Sequence, residues 1–287
     1  MGGHDEVRPA GDAGGFRVVV AGKGGVGKTT LTAVLARLLA RRGFTVLAVD
    51  ADPQMNLAHA LGLPAAEAEA LVPLSRNADY VEEKTGARPG GGWGQLLRLN
   101  PDLSDAVDRF GVAAPDGVRL LVMGTVLQPA VGCLCPENTL LAATVNALVL
   151  RPGEAILMDT QAGVEHFGRA LARGFQQAII VADPSANATA TALQVARLAR
   201  QLGIPAIHLV VNRVREPGEL ARVDARLAGQ EGLFDTRHAL PYDERVLEGD
   251  PAVSGLFEGA GSAFLEAARR LARAVVETEA EVAICAS

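Results

Sequence analysis

The chain has 287 residues, 49% hydrophobic and 21% charged, enough for one large α/β core or two small ones. Its formal charge of −6 argues against a protein whose main business is coating nucleic acid or an acidic membrane. No apolar run approaches the roughly 18 residues of a membrane span, and residues 1–15 lack the apolar core of a secretory signal.

Residues 1–15 are therefore expected to be a flexible tail on a cytoplasmic protein. Glu6 stands where a myristoylation site requires Ser or Thr. Phe16 to Ala21 is an apolar run of strand length, and Gly22-Lys23-Gly24-Gly25-Val26-Gly27-Lys28-Thr29 follows it. That stretch fits G-x-x-x-x-G-K-[ST]. Its glycines let backbone N–H groups close around phosphate oxygens, and its lysine, Lys28, reaches the β- and γ-phosphates. From Lys28 through Thr29 and Thr30 to Arg42, apolar residues recur at helical spacing, with Gly43 as a stop. The helix turns its positive end toward the same anion. Lys23 is a second lysine inside the phosphate loop, where a loop lysine would otherwise be a solvated charge.

A second strand near 44–49 runs into Asp50-Ala51-Asp52-Pro53-Gln54, and short helices are predicted in 55–62 and 103–110. Residues 63–117 break the rhythm with Pro, Gly and charge and read as a surface insertion. Further strands are predicted near 118–123, 155–159, 177–182, 207–212 and 237–240, with helices near 137–150, 187–203, 217–229 and 261–279. The apolar stripe of the last helix, with its acidic end, fits core packing better than membrane targeting. Apolar strands separated by helices imply an α/β fold: a mostly parallel central sheet of seven or eight strands, helices on both faces, in a single domain over 16–287. Ligands belong at the carboxyl ends of such strands.

Two further strand ends complete a nucleotide site. AILMD ends in Asp159, before Thr160-Gln161-Ala162-Gly163. An acid there is suited to hold Mg²⁺ or its water, with the Thr29 hydroxyl as a second ligand. Asp52, expected two positions past its strand, is placed to orient attacking water. Each aspartate could alternatively be a strand terminator or helix cap. Gly163 would let the backbone approach the γ-phosphate and move when it leaves. LVVNRVRE ends its strand at Asn212, a candidate base contact or an ordinary turn asparagine. Guanine recognition would want an acid where Arg215 stands, which favours adenine.

The loop with its leading lysine, DADPQ and DTQAG resemble the MinD/ParA/nitrogenase-iron-protein class of ATPases over nearly the whole chain. The resemblance implies an ATP-bound homodimer in which Lys23 crosses to the partner's nucleotide. VGCLCPENTLL then sets this chain apart. Cys133 and Cys135 are two of only three cysteines, and in a cytosol such a pair points to metal or redox chemistry. Pro136 suits the first position of a helix, whose positive end favours thiolate at both cysteines. Tetrahedral metal sites usually take four ligands. A symmetric dimer of this chain supplies four thiols, so Lys23 and the cysteine pair predict the same assembly.

GCLCP and DTQAGVEHFGR, with PLS at 73–75, TGARPG at 85–90 and LNP at 99–101, are similar to the carbon monoxide dehydrogenase maturation ATPases of the CooC type. That resemblance implies nickel or zinc at Cys133 and Cys135 on the dimer interface, and ATP turnover linked to nickel loading of the client's cluster. Gln161 departs from the acidic residue often found there. Glu165 and His166 follow the moving glycine and receive no assigned role. Rival readings are an iron-sulfur carrier or scaffold ATPase, a nitrogenase-like reductase and a MinD/ParA-like positioning switch. The first usually spaces its thiols C-x-x-C, the second needs cysteines on separate loops, and the third leaves Cys133 and Cys135 unexplained.

Overall fold

The computed structural model describes residues 14–86, 105–124, 150–162, 174–258 and 261–286. The predicted helix over 137–150, Cys133, Cys135, Gly163, Glu165 and His166 lie outside them, as do residues 1–13 of the tail and the middle of the insertion.

One eight-stranded sheet organises the described residues. Its strands are β1 (Phe16–Gly22), β2 (Thr45–Ala51), β3 (Val112–Ala113), β4 (Arg119–Val122), β5 (Glu154–Thr160), β6 (Gln177–Ala182), β7 (Ala206–Val214) and β8 (Thr236–Pro241), in the spatial order β3-β4-β2-β5-β1-β6-β7-β8. Every pairing is parallel except that of β3 with β4. The helices are α1 (Lys28–Arg41), α2 (Leu57–Leu61), α3 (Ala65–Glu69), α4 (Ala78–Thr85), α5 (Ala106–Phe110), α6 (Ala186–Gln201), α7 (Pro217–Leu227), α8 (Glu244–Glu248) and α9 (Ala263–Ala286).

The central strands are buried almost throughout, as a parallel sheet covered on both faces requires. Helix α1 packs with α2 and α9 and against β2 and β5, whereas α6 packs with α7 and against β1 and β6. The chain moves from β1 outward to β2 and β4, returns to β5 beside β1, and then continues on β1's other side with β6. This reversal leaves the carboxyl ends of β1 and its neighbours open to a ligand.

Several boundaries differ from the sequence reading. Strand β2 extends through Ala51, which pairs with Thr160 of β5, so Asp52 is the first residue after the strand and not the second. The small Ala51 side chain fits the buried sheet, and two more ladder partners continue the pairing. Described parts of 63–117 include α3, α4, α5 and β3, and they bury Leu74, Tyr80, Val81 and Ala106. Asp116 in the same stretch accepts from Arg37 Nε of α1 at 2.6 Å and pairs with Arg41 Nε at 3.0 Å.

Candidate nucleotide site

The loop between β1 and α1 is shaped by glycine. At Gly22 φ is 145°, and a Cβ there would meet the Val181 carbonyl oxygen at 2.1 Å. Gly27 has φ 97°, and its Cβ would fall 2.5 Å from Asn212 Nδ2. Both positions therefore demand glycine. Helix α1 begins at Lys28 with no side-chain cap, so its first amides are left for another acceptor, and an anion satisfies them. Lys28 is only 7% exposed, and its Nζ donates to the Lys23 carbonyl oxygen at 3.2 Å. Burial lowers its pKa, against the pull of Asp159 and Asp52. The Lys23 side chain is exposed.

Strands β2 and β5 set Asp50 and Asp159 side by side in register. Asp50 accepts from the Asp52 amide through Oδ1 at 3.0 Å and from the Leu57 amide through Oδ2 at 2.9 Å. It thereby holds both ends of the Asp52–Asn56 turn. Asp52 itself accepts from the Gln54 amide at 2.9 Å. Asp159 Oδ2 accepts the Thr29 hydroxyl at 2.6 Å, while Oδ1 is buried without a partner. Burial first, and the neighbouring Asp50 second, push Asp159 up to about 7. Burial pushes Asp50 up to about 6. A buried carboxylate with a free oxygen, beside a second acid and a threonine hydroxyl, is a donor set that fits a hard divalent cation. The sequence reading assigned Thr29 and Asp159 to magnesium. The role of Asp50 was missed; its signal is the D-x-D at a strand end, whose first acid can accept from the amide two residues on.

These groups border an open cleft of about 670 Å³ lined by Gly24, Gly25, Gly27, Lys28, Thr29, Thr30, Asp52, Gln161 and Arg213, among others. A second, smaller and more apolar slot of about 30 Å³ adjoins it, where Gly27, Thr30, Asn212 and Arg213 meet Pro241, Tyr242, Asp243, Val246, Leu247 and Phe264. Asn212 lines that slot with its amide already engaged: Nδ2 donates to the Val26 carbonyl at 2.8 Å and Oδ1 accepts from the Arg213 amide at 2.9 Å. Its visible work is to tie β7 to the phosphate loop. Gly24 to Thr30, Asp52, Asp159 and Asn212 thus converge on one end of the sheet. Arg213, Tyr242 and the slot carried no motif in the sequence. No described helix is long and apolar enough to cross a membrane.

Residues 17–250 match the CobQ/CobB/MinD/ParA nucleotide binding domain. The carbon monoxide dehydrogenase accessory protein CooC of Rhodospirillum rubrum is 38% identical over 83% of this chain and 88% of its own. An ATP-binding protein of Methanocaldococcus jannaschii is 36% identical over 82% of this chain and 88% of its own. Among solved structures, the septum site-determining protein MinD of Pyrococcus horikoshii, complexed with Mg-ADP, superposes with a TM-score of 0.60 at 24% identity, covering 91% of this chain and 96% of that one. At that identity the likeness establishes the P-loop NTPase fold alone, and the two sequence similarities of higher identity, with the loop geometry, place the chain among ATP-binding proteins. The chain therefore belongs to the CobQ/CobB/MinD/ParA family of nucleotide-binding proteins, as a P-loop ATPase of the kind whose loop opens with an extra lysine.

Proposed function

We propose that this protein is a cytoplasmic ATP-hydrolysing metallochaperone that dimerises with ATP, holds metal at Cys133 and Cys135, and loads nickel into the active-site cluster of carbon monoxide dehydrogenase. The observation that carries the reading is the 38% identity to the CooC accessory protein over most of both chains. The geometry of the phosphate site supports the ATPase half.

Hydrolysis follows from the residues at the cleft. The bare first turn of α1 and the loop amides take the phosphate oxygens, and Lys28 neutralises charge on them. Asp159 and Thr29 would hold Mg²⁺, which when bound offsets charge on the bridging and terminal phosphate oxygens. Asp52, on the turn braced by Asp50, orients the water that attacks the γ-phosphorus as its bond to the β-bridging oxygen breaks. Lys23 acts on the partner's nucleotide. Release of phosphate relaxes Gly163 and with it the interface that holds the metal cargo. Two chains bring four thiolates to one ion, a set that suits nickel or zinc.

The test is an anaerobic titration of Ni²⁺ into reduced, metal-free protein with a nonhydrolysable ATP analogue, comparing the wild type with the Cys133→Ser/Cys135→Ser double variant. One nickel per dimer, lost in the double variant while ATP still binds, is the expected result. Absence of cysteine-dependent nickel binding would refute nickel carriage by this pair.

A further inference from the structure

We infer that Arg213 is a nucleotide-binding residue of this protein, a cation held where the apolar slot and the phosphate cleft meet, and that it engages the α-phosphate end of the bound nucleotide. This rests on the reading of the cleft as an ATP site.

Arg213 is one of three non-glycine residues with positive φ among those described, at 61°. The other two are Met55 and Asp116, and aspartate tolerates the left-handed region through local hydrogen bonds. A long side chain there is strained relative to the right-handed region. Glycine would make the turn without that strain. The position interrupts β7, whose register against β8 shifts between Val211 and Val214. Asn212 over-determines the turn by accepting the Arg213 amide while gripping the phosphate loop at Val26. Strain of this kind, locked to a binding loop by one buried amide, is the pattern of a side chain aimed for function.

The environment says what it is aimed at. Arg213 lines both cavities, with Gly27 and Thr30, so it stands at their junction. A nucleotide with its phosphates on the loop and its base in the slot presents its ribose and α-phosphate at that junction. The guanidinium of Arg213 is exposed, and no described residue pairs with it. Arg215, two residues on, is committed elsewhere: its guanidinium lies 4.2 Å from the Tyr242 ring centroid. Arg213 thus remains the cation at the junction, with a fork of donors that matches phosphate oxygens.

The experiment is calorimetric titration of ATP, ADP and adenosine, with Mg²⁺, into full-length wild type, R213N and R213K, alongside melting of the nucleotide-free proteins. Asparagine tolerates the left-handed turn, so Arg213→Asn removes the cation and keeps the backbone. ATP and ADP are expected to bind R213N about 10-fold more weakly, with adenosine unchanged and R213K intermediate. The melting temperature of nucleotide-free R213N is expected to be no lower than wild type. ATP affinity within about twofold of wild type in a folded R213N overturns the assignment. So does an equal loss for adenosine, or a lowered melting temperature accompanying the loss. A wild type that binds no ATP refutes the ATPase reading itself, a separate failure.

Discussion

The two ends of the sheet solve opposite problems with the same kinds of residue. At the amino ends of β6, β7 and β8, a buried polar chain is closed link by link. Gln177 Nε2 donates to the Val275 carbonyl of α9 at 2.9 Å, and His208 Nε2 donates to Gln177 Oε1 at 2.9 Å. The Thr236 hydroxyl donates to His208 Nδ1 at 2.7 Å and accepts from His238 Nε2 at 2.9 Å. The Gln177 amide sets these tautomers, since its nitrogen is used on the helix and its oxygen must accept. At the carboxyl ends of β2 and β5, by contrast, two acids stand in register, one with an oxygen that nothing satisfies. A satisfied buried network stabilises and specifies. An unsatisfied one stores interaction free energy for a ligand.

Three substitutions or titrations test that contrast. The largest effect belongs to Asp159→Asn, which removes one of the paired acids. ATP hydrolysis should fall by about 10³-fold, since the site loses the anion that answers the cation and Thr29. The nucleotide-free protein should nevertheless melt higher, because two adjacent buried acids no longer oppose each other. Steady-state hydrolysis and a melting curve measured together check both signs; a drop in both would mean that Asp159 is merely structural.

A pH effect on the closed end comes next. Burial, and His238 beside it, lower His208 to about 4 from 6.5, with Asp235 opposing; burial first, and Arg270 second, lower His238. The folded state keeps His208 neutral, while the unfolded chain protonates it below 6.5. Stability from this group is therefore fully present above pH 6.5 and is lost as pH falls toward 4, by up to about 3 kcal/mol. Urea midpoints for wild type and His208→Gln across that window should diverge in slope, with the variant flatter; parallel curves would disprove the assignment. Smallest is Thr236→Val, which leaves His208 Nδ1 and His238 Nε2 without their shared partner. A loss of about 2 kcal/mol in denaturant unfolding, with ATP hydrolysis unchanged, is expected. A fall in activity would show that the two ends are coupled.

Much of the binding end could be read along the chain because its parts are local. The phosphate loop is eight consecutive residues at the end of an apolar strand, and Asp52 and Asp159 each lie one residue from the end of such a strand. Edge strand β3 escaped because it is two residues long and exists only against β4. Helix α8 is five residues, too short for any apolar period to register. Asn212 was singled out as a strand-end residue, but its contact with Val26 spans 186 positions of sequence. The chain Gln177–His208–Thr236–His238 had no signal at all, since its members lie on three strands and meet only through the register of the sheet.

The sequence by itself determined the alternation of strand and helix, the phosphate loop with its second lysine, the acids at strand ends, and the likeness to CooC-type proteins. These depend on spacing within a few residues, which local backbone geometry enforces wherever the segment lies. Tertiary structure alone decided that Asp50 faces Asp159, that Asn212 grips the loop, and that Arg213 holds a strained turn between two cavities. Those relations arise when parallel strands distant in sequence are brought into register, and one-residue shifts in register would have sent the same side chains to opposite faces.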